Sequence, residues 1–256
     1  MNWSPAMVYA DDGFIYLPAF YRDEILCYDR DLNFVRSFGS TGEKPGQLKQ
    51  PFSLVLLSEY LYVLESGNNR IQVFNRKGLS EAIFGNKGLK NQINDMARLF
   101  SWGDKLLFLQ KKKHFLGVYS QDMELLRKLP CHLENQDRII FVKELNGRLY
   151  FPLRNGELFR LNDCQKEWLS CSDYPSGEHM LSFLTDIISL GACWLFLDCA
   201  TKTIYKSREN NWVFRTQITA NNPYKGVYDG KHLYIVSSDR NVKGKGKIQK
   251  FIVDSR

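Results

Sequence analysis

A three-residue block, apolar then aromatic then apolar, returns six times along the 256-residue chain. It stands as Ile15-Tyr16-Leu17, Leu61-Tyr62-Val63, Leu107-Phe108-Leu109, Leu149-Tyr150-Phe151, Leu195-Phe196-Leu197 and Leu233-Tyr234-Ile235. Successive central aromatics are 46, 46, 42, 46 and 38 residues apart. Self-similarity at such a period marks stacked supersecondary units, each too small to bury its apolar face alone. Turn signals precede most blocks: Asp11-Asp12-Gly13, Gly103-Asp104, Asn146-Gly147, Gly191 and Asp229-Gly230. After each block a second strand-like segment ends on an aromatic, at Tyr28, Phe74, Tyr119, Phe159, Tyr205 and Phe251. A third apolar segment follows in five units, at 35–38, 82–84, 125–129, 168–169 and 212–214. A further one precedes every block, as at 7–10, 54–57 and 187–190.

Four short strands in roughly 40–45 residues is the pattern of a propeller blade. The chain is therefore expected to be all-β: a single-domain six-bladed β-propeller of four-stranded antiparallel blades spanning residues 1–256. A sandwich with evenly spaced strands would not return the same aromatics six times. Only 91–100 reads as able to carry a helical turn. The first unit begins near residue 5 and the sixth runs out near 253, so 23 strands are visible where a full ring uses 24. Either residues 1–4 add an outer strand, or the sixth blade keeps three. An uncovered edge of that kind presents unpaired backbone groups and could pair with a partner's strand.

One unit carries more than rhythm. Residues 38–84 contain Gly46-Gln47-Leu48, Pro51 three residues later, Tyr62-Val63, and Ser66-Gly67-Asn68-Asn69-Arg70-Ile71-Gln72-Val73-Phe74. This stretch resembles the NHL repeat at nearly every marker position, and residues 14–39 resemble it in part. The later units keep the strands and lose the Gly-Asn-Asn-Arg hairpin. No Trp-Asp dipeptide of the WD kind and no Gly-Gly doublet of the kelch kind occurs. Gly and Asn suit a tight connection because both tolerate the left-handed backbone region. Arg70 is expected to reach a neighbouring carbonyl or carboxylate.

No apolar run approaches the roughly 18 residues that cross a bilayer, and the N-terminus has neither a basic start nor an apolar signal core. The six cysteines, Cys27, Cys131, Cys164, Cys171, Cys193 and Cys199, form no CxxC pair. They read as thiols in a reducing compartment, so a cytoplasmic location without membrane contact is expected.

The net charge of +7 gains meaning when it is sorted by loop. In a propeller the connections between second and third strands and between successive blades share one face. That face is expected to be basic, with Tyr21, Arg22, Lys49, Arg70, Lys111, Lys112, Lys113, Phe115, Lys202, Lys225, Lys243, Lys245 and Lys247. The opposite face collects acids such as Asp29, Asp31, Glu59, Asp104, Glu124 and Asp229. The first reading is a non-catalytic recognition module that binds a protein, peptide or small ligand on the basic face. Cations beside aromatics also suit single-stranded RNA or another polyanion, and the resemblance implies this too, since NHL propellers of tripartite-motif proteins bind RNA on that face.

A third reading is a metal-dependent lyase or hydrolase working at the central channel. His114, His132 and His179 fall near the basic face and are the weak candidates for metal ligands. Some NHL-like propellers, such as the peptidyl-amidoglycolate lyases, use histidine ligands there. The first strands read as apolar or small, the histidines have no fixed ligand spacing, and so no cofactor and no catalytic residue is assigned.

Overall fold

A computed structural model describes residues 8–9, 13–85, 98–109, 115–130, 141–145, 147–152, 158–162, 167–170, 184–191, 193–208, 211–217, 223–238 and 246–252. Among these residues every regular element is a strand, and no helix is long and apolar enough to cross a membrane. The strands form six antiparallel sheets, each in simple sequence order. The first holds β1 (Val8–Tyr9), β2 (Ile15–Ala19), β3 (Glu24–Tyr28) and β4 (Phe34–Phe38). The second holds β5 (Pro51–Leu57), β6 (Tyr60–Glu65), β7 (Arg70–Asn75) and β8 (Ser80–Phe84). The third holds β9 (Arg98–Trp102), β10 (Lys105–Leu109), β11 (Phe115–Tyr119) and β12 (Leu125–Pro130). The fourth holds β13 (Lys143–Leu145), β14 (Arg148–Pro152), β15 (Leu158–Asn162) and β16 (Glu167–Ser170). The fifth holds β17 (Leu184–Ser189), β18 (Cys193–Asp198), β19 (Thr203–Arg208) and β20 (Asn211–Gln217). The sixth has three strands among the described residues: β21 (Pro223–Tyr228), β22 (His232–Ser238) and β23 (Gly246–Ile252).

The recurrent block forms the second strand of every sheet. Of the stretch 91–100, which alone reads as able to carry a helical turn, Arg98, Leu99 and Phe100 instead open β9, which pairs with β10 from Arg98 opposite Leu109. Five paired residues on each side of the tight turn outweigh a single helical turn, whose nucleation is costly. The fourth strand that residues 1–4 could supply lies outside the described residues.

The first three sheets form one compact unit and the last three another. In the first unit β5 packs against β2 and β9; in the second, β17 packs against β13 and β21. The second strand β6 is sandwiched between its neighbouring sheets, so both of its faces are buried. In β6, Leu61 and Val63 join Tyr16, Ile25, Cys27 and Phe74, while Tyr62 and Leu64 join Leu99, Leu106, Phe108 and Tyr119. A strand buried on both faces must be apolar throughout rather than alternating, which is why the block shows no polar residue.

Its central aromatic has a second task. Tyr16 donates its hydroxyl to the carbonyl of Arg76, in the turn after β7 (3.3 Å), and Tyr62 donates to Gln121, in the turn after β11 (3.0 Å). A buried phenol takes a partner because an unpaired hydroxyl is costly. Here the partner belongs to the next sheet, so the repeated tyrosine ties neighbours together.

Three turns after the third strand share one geometry. Backbone bonds join Asp29 to Asn33, Asn75 to Leu79 and Ser120 to Glu124, with Leu32, Gly78 and Met123 at φ 66°, 86° and 61°. Cys27, Cys193 and Cys199 are in no disulfide.

Candidate polar centres on the first strands and hairpins

Two polar centres are buried in the described residues, one in each unit. The first joins the hairpin between β6 and β7 to the loop before β5. Glu65 and Arg70 face each other in register across the hairpin, and both are buried. Arg70 Nε donates to Glu65 Oε1 at 2.6 Å, while its other nitrogens donate to the carbonyls of Glu43 and Gln47. Asn68 Nδ2 donates to Glu65 and to the carbonyl of Gly42. Gln72 donates to Gln47 and accepts from the Gly46 N–H, and the Lys49 N–H donates to Glu65. Burial pushes the Glu65 carboxyl above its ordinary value, against the opposing pull of Arg70, the Lys49 N–H and Asn68. A guanidinium spent on one carboxylate and the carbonyls of Glu43, Lys44 and Gln47 is a strut, so Arg70 acts within the hairpin.

The hairpin's geometry outlives its sequence. Asp23, Asn69 and Lys202 each occupy the last turn position before the third strand, at φ 56°, 52° and 55°. The fifth sheet thus keeps the four-residue connection of the second without its Gly-Asn-Asn run. At the place of Glu65 it carries Asp198, wholly buried, which accepts from the N–H groups of Ala200 and Thr201.

The second centre lies in the unit of the last three sheets. Asp186, on β17, has no solvent exposure. Its Oδ1 is met by Lys143 Nζ from β13 at 3.5 Å and Lys225 Nζ from β21 at 3.3 Å. Oδ1 also accepts the Ile187 N–H, and Oδ2 accepts the Gly226 N–H at 3.0 Å. Three first strands from consecutive sheets therefore place one carboxylate between two ammonium groups. Burial alone raises the Asp186 carboxyl, but Lys143, Lys225 and the two N–H groups together hold it below the usual carboxylate range. The lysine side chains remain 29% and 20% exposed while the carboxylate is sealed, so the trio turns positive charge toward solvent. Lys225 also lies 5.0 Å from the ring centre of buried Phe141, a contact that steadies a cation. Next to Asp186, Thr185 donates to the carbonyls of Leu197 and Pro223, locking β17 to β21.

This corrects the expectation that the first strands are apolar or small. Lys143 and Asp186 stand outside the expected binding set, and Lys225, expected on a loop, pairs within β21. A signal was present: Asp186 interrupts the otherwise uncharged strand LTDIIS, and a buried charge requires a partner. The partners lie 43 and 39 residues away, close to the repeat.

The other expected binding residues lie on several loops and strands. Tyr21 is exposed and meets Phe20 edge-on. Arg22 pairs with Glu24 at the surface. Lys49 and Lys202 are exposed in loops, and Lys247 lies within β23, opposite Ser237. Phe115 opens β11. Lys111, Lys112, Lys113, Lys243, Lys245, His114, His132 and His179 lie outside the described residues. Among the described residues no three His, Cys, Asp or Glu groups are placed to hold a metal ion.

At the turn into β22, Asp229 accepts from the N–H groups of Lys231 and His232 and from the Tyr234 hydroxyl. Burial opposes the shift, yet these bonds draw its carboxyl down to about 2.

No family model matches the chain. Protein brain tumor of Drosophila melanogaster is 24% identical over 143 residues, covering 50% of this chain and only 14% of that protein. The chain therefore spans a small part of that relative's length. Among solved structures, a catalytically inactive variant of virginiamycin B lyase from Staphylococcus aureus, with quinupristin, has a TM-score of 0.64 at 14% identity. It covers 98% of this chain and 80% of its own. A streptogramin B lyase structure has a TM-score of 0.63 at 14% identity, covering 99% and 84%. The likeness establishes a β-propeller fold. The first reading of the sequence, a non-catalytic recognition module, is corrected by the same comparison, because these propellers are enzymes. A repeat reports how strands stack and is silent on what chemistry the first strands hold.

Proposed function

We propose that this chain is a catalytic β-propeller that works by elimination, as a lyase does, with Lys143, Asp186 and Lys225 at its reacting centre. The six sheets are then six blades of one domain over residues 1–256, the second of NHL type, and their first strands line the centre. The observation that carries the reading is a wholly buried carboxylate held between two partly exposed ammonium groups from three consecutive first strands. The fold shared with virginiamycin B lyase supports it.

Elimination next to a carbonyl begins with loss of a proton from the adjacent carbon, and negative charge gathers on the carbonyl oxygen. Preorganised cations that meet that charge supply a large share of such catalysis. Lys143 and Lys225 provide them. Asp186 is held ionised and is too weak a base to take the proton. Its task is to fix two like-charged side chains that would otherwise repel. The base is a separate group, for which His114, His132 and His179 are the imidazoles to test.

The test is turnover of quinupristin and of a panel of linear and cyclic esters, with and without a free carboxylate beside the carbon that loses its proton, followed by the ultraviolet absorbance of the conjugated alkene. Lys143→Met and Lys225→Met are each expected to lower kcat by about 100-fold, the scale for one stabilising donor. Turnover that both variants retain in full, or its absence across the panel, sinks the proposal.

A further inference from the structure

Resting on that reading, we infer that the centre selects substrates bearing a free carboxylate on the carbon that loses its proton, with an oxygen leaving group one carbon further on. The trio has two cations and one anion, all the described charges that meet at Asp186 Oδ1. Removing a proton beside a carboxylate creates a second negative charge on the same two oxygens. That dianion is far costlier than the enolate of a neutral ester, and it calls for two cations close together. Lys143 and Lys225 reach one and the same oxygen of Asp186, from opposite neighbouring sheets, so both can bracket one substrate carboxylate. A neutral carbonyl would need only one of them, or a pair of N–H donors.

The step balances without a co-reactant. The base removes the proton from the carbon next to the carboxylate, and the freed electron pair becomes the carbon–carbon double bond. The bond to the leaving oxygen breaks with its pair on oxygen, and the base returns the proton there. From 3-acetoxybutyrate the products are crotonate and acetic acid.

Binding and turnover are measured separately on the whole chain. Calorimetric titration uses 3-hydroxybutyrate, whose poor leaving group keeps it intact, against its methyl ester. The acid is expected to bind and the ester to bind at least 10-fold more weakly. Lys143→Met or Lys225→Met should weaken the acid by about 10- to 100-fold, the equivalent of one charge-assisted bond. Lys143→Arg should retain most of the affinity, which separates lost charge from a lost fold. Equal binding of acid and ester, or acid binding indifferent to both methionine variants, overturns the inference. Release of crotonate from 3-acetoxybutyrate, but not from its methyl ester, supports it in full. Acid binding without crotonate release upholds the carboxylate site and refutes the lyase reading. Equal turnover of the neutral ester upholds the lyase and refutes the carboxylate requirement.

Discussion

Asp186 sets the acid sensitivity of the second unit. Its carboxyl titrates below the ordinary value in the folded chain, so the folded state binds fewer protons than the unfolded state near that value. The stabilisation it brings is complete above about 3.9, the unfolded value, and drains away as pH falls toward the folded one. Asp229, drawn to about 2, adds to the same slope. Urea unfolding followed from neutral pH down to about 2 should show this loss, and Asp186→Asn should flatten it. At neutral pH the same variant should be less stable by roughly 1–3 kcal/mol, since Lys143 and Lys225 lose the charged acceptor between them. An unchanged slope in Asp186→Asn would assign the acid sensitivity elsewhere. The residue was visible as the sole charge in its strand, but the sequence does not name which charges come to meet it.

At the scale of an element, the hairpin between β6 and β7 was the most legible part of the chain. Its motif announced a tight turn, and Asn69 takes the left-handed position that such a turn requires. What the motif does not disclose is that Arg70 points inward, clamping Glu65 and three carbonyls of the loop before β5. A buried ion pair repays little net energy because its desolvation offsets the attraction, yet removing one member leaves an uncompensated charge. Glu65→Ala and Arg70→Ala are each expected to cost about 3–5 kcal/mol in denaturant unfolding, and the double variant less than the sum of both. Additive losses would mean the two groups act independently. In the fifth sheet the motif is gone and the turn remains, because Lys202 adopts the same left-handed backbone as Asn69. Backbone pairing on both sides there forces a conformation that local propensity would not choose.

For the molecule as a whole, stability should grade across each sheet. Second strands such as β6 and β18 are paired on both sides and buried on both faces. Outer strands β4 and β12 expose Phe34, Val35, Leu125 and Leu126. Amide hydrogen exchange should therefore be slowest in β6 and β18 and fastest in β4 and β12. The reverse order would show that the stacked sheets do not hold as described. The recurrence of the aromatic block predicted this layering, since a residue flanked by two sheets must be apolar on every side. It did not predict the face on which charges would gather. Of the cations that sorting by loop places on one face, Arg70 is buried in its hairpin and Arg22 pairs with Glu24 at the surface.

By itself the sequence determined the sixfold repeat and the succession of strands within each sheet. These depend on contacts between residues close along the chain, and such contacts write themselves as local periodicity. Only the tertiary structure decided that Tyr16 and Tyr62 tie one sheet to the next and that Lys143, Asp186 and Lys225 meet. Those contacts cross from sheet to sheet over about one repeat length. A lone lysine or aspartate carries no mark of whether its neighbour there is water or an opposite charge.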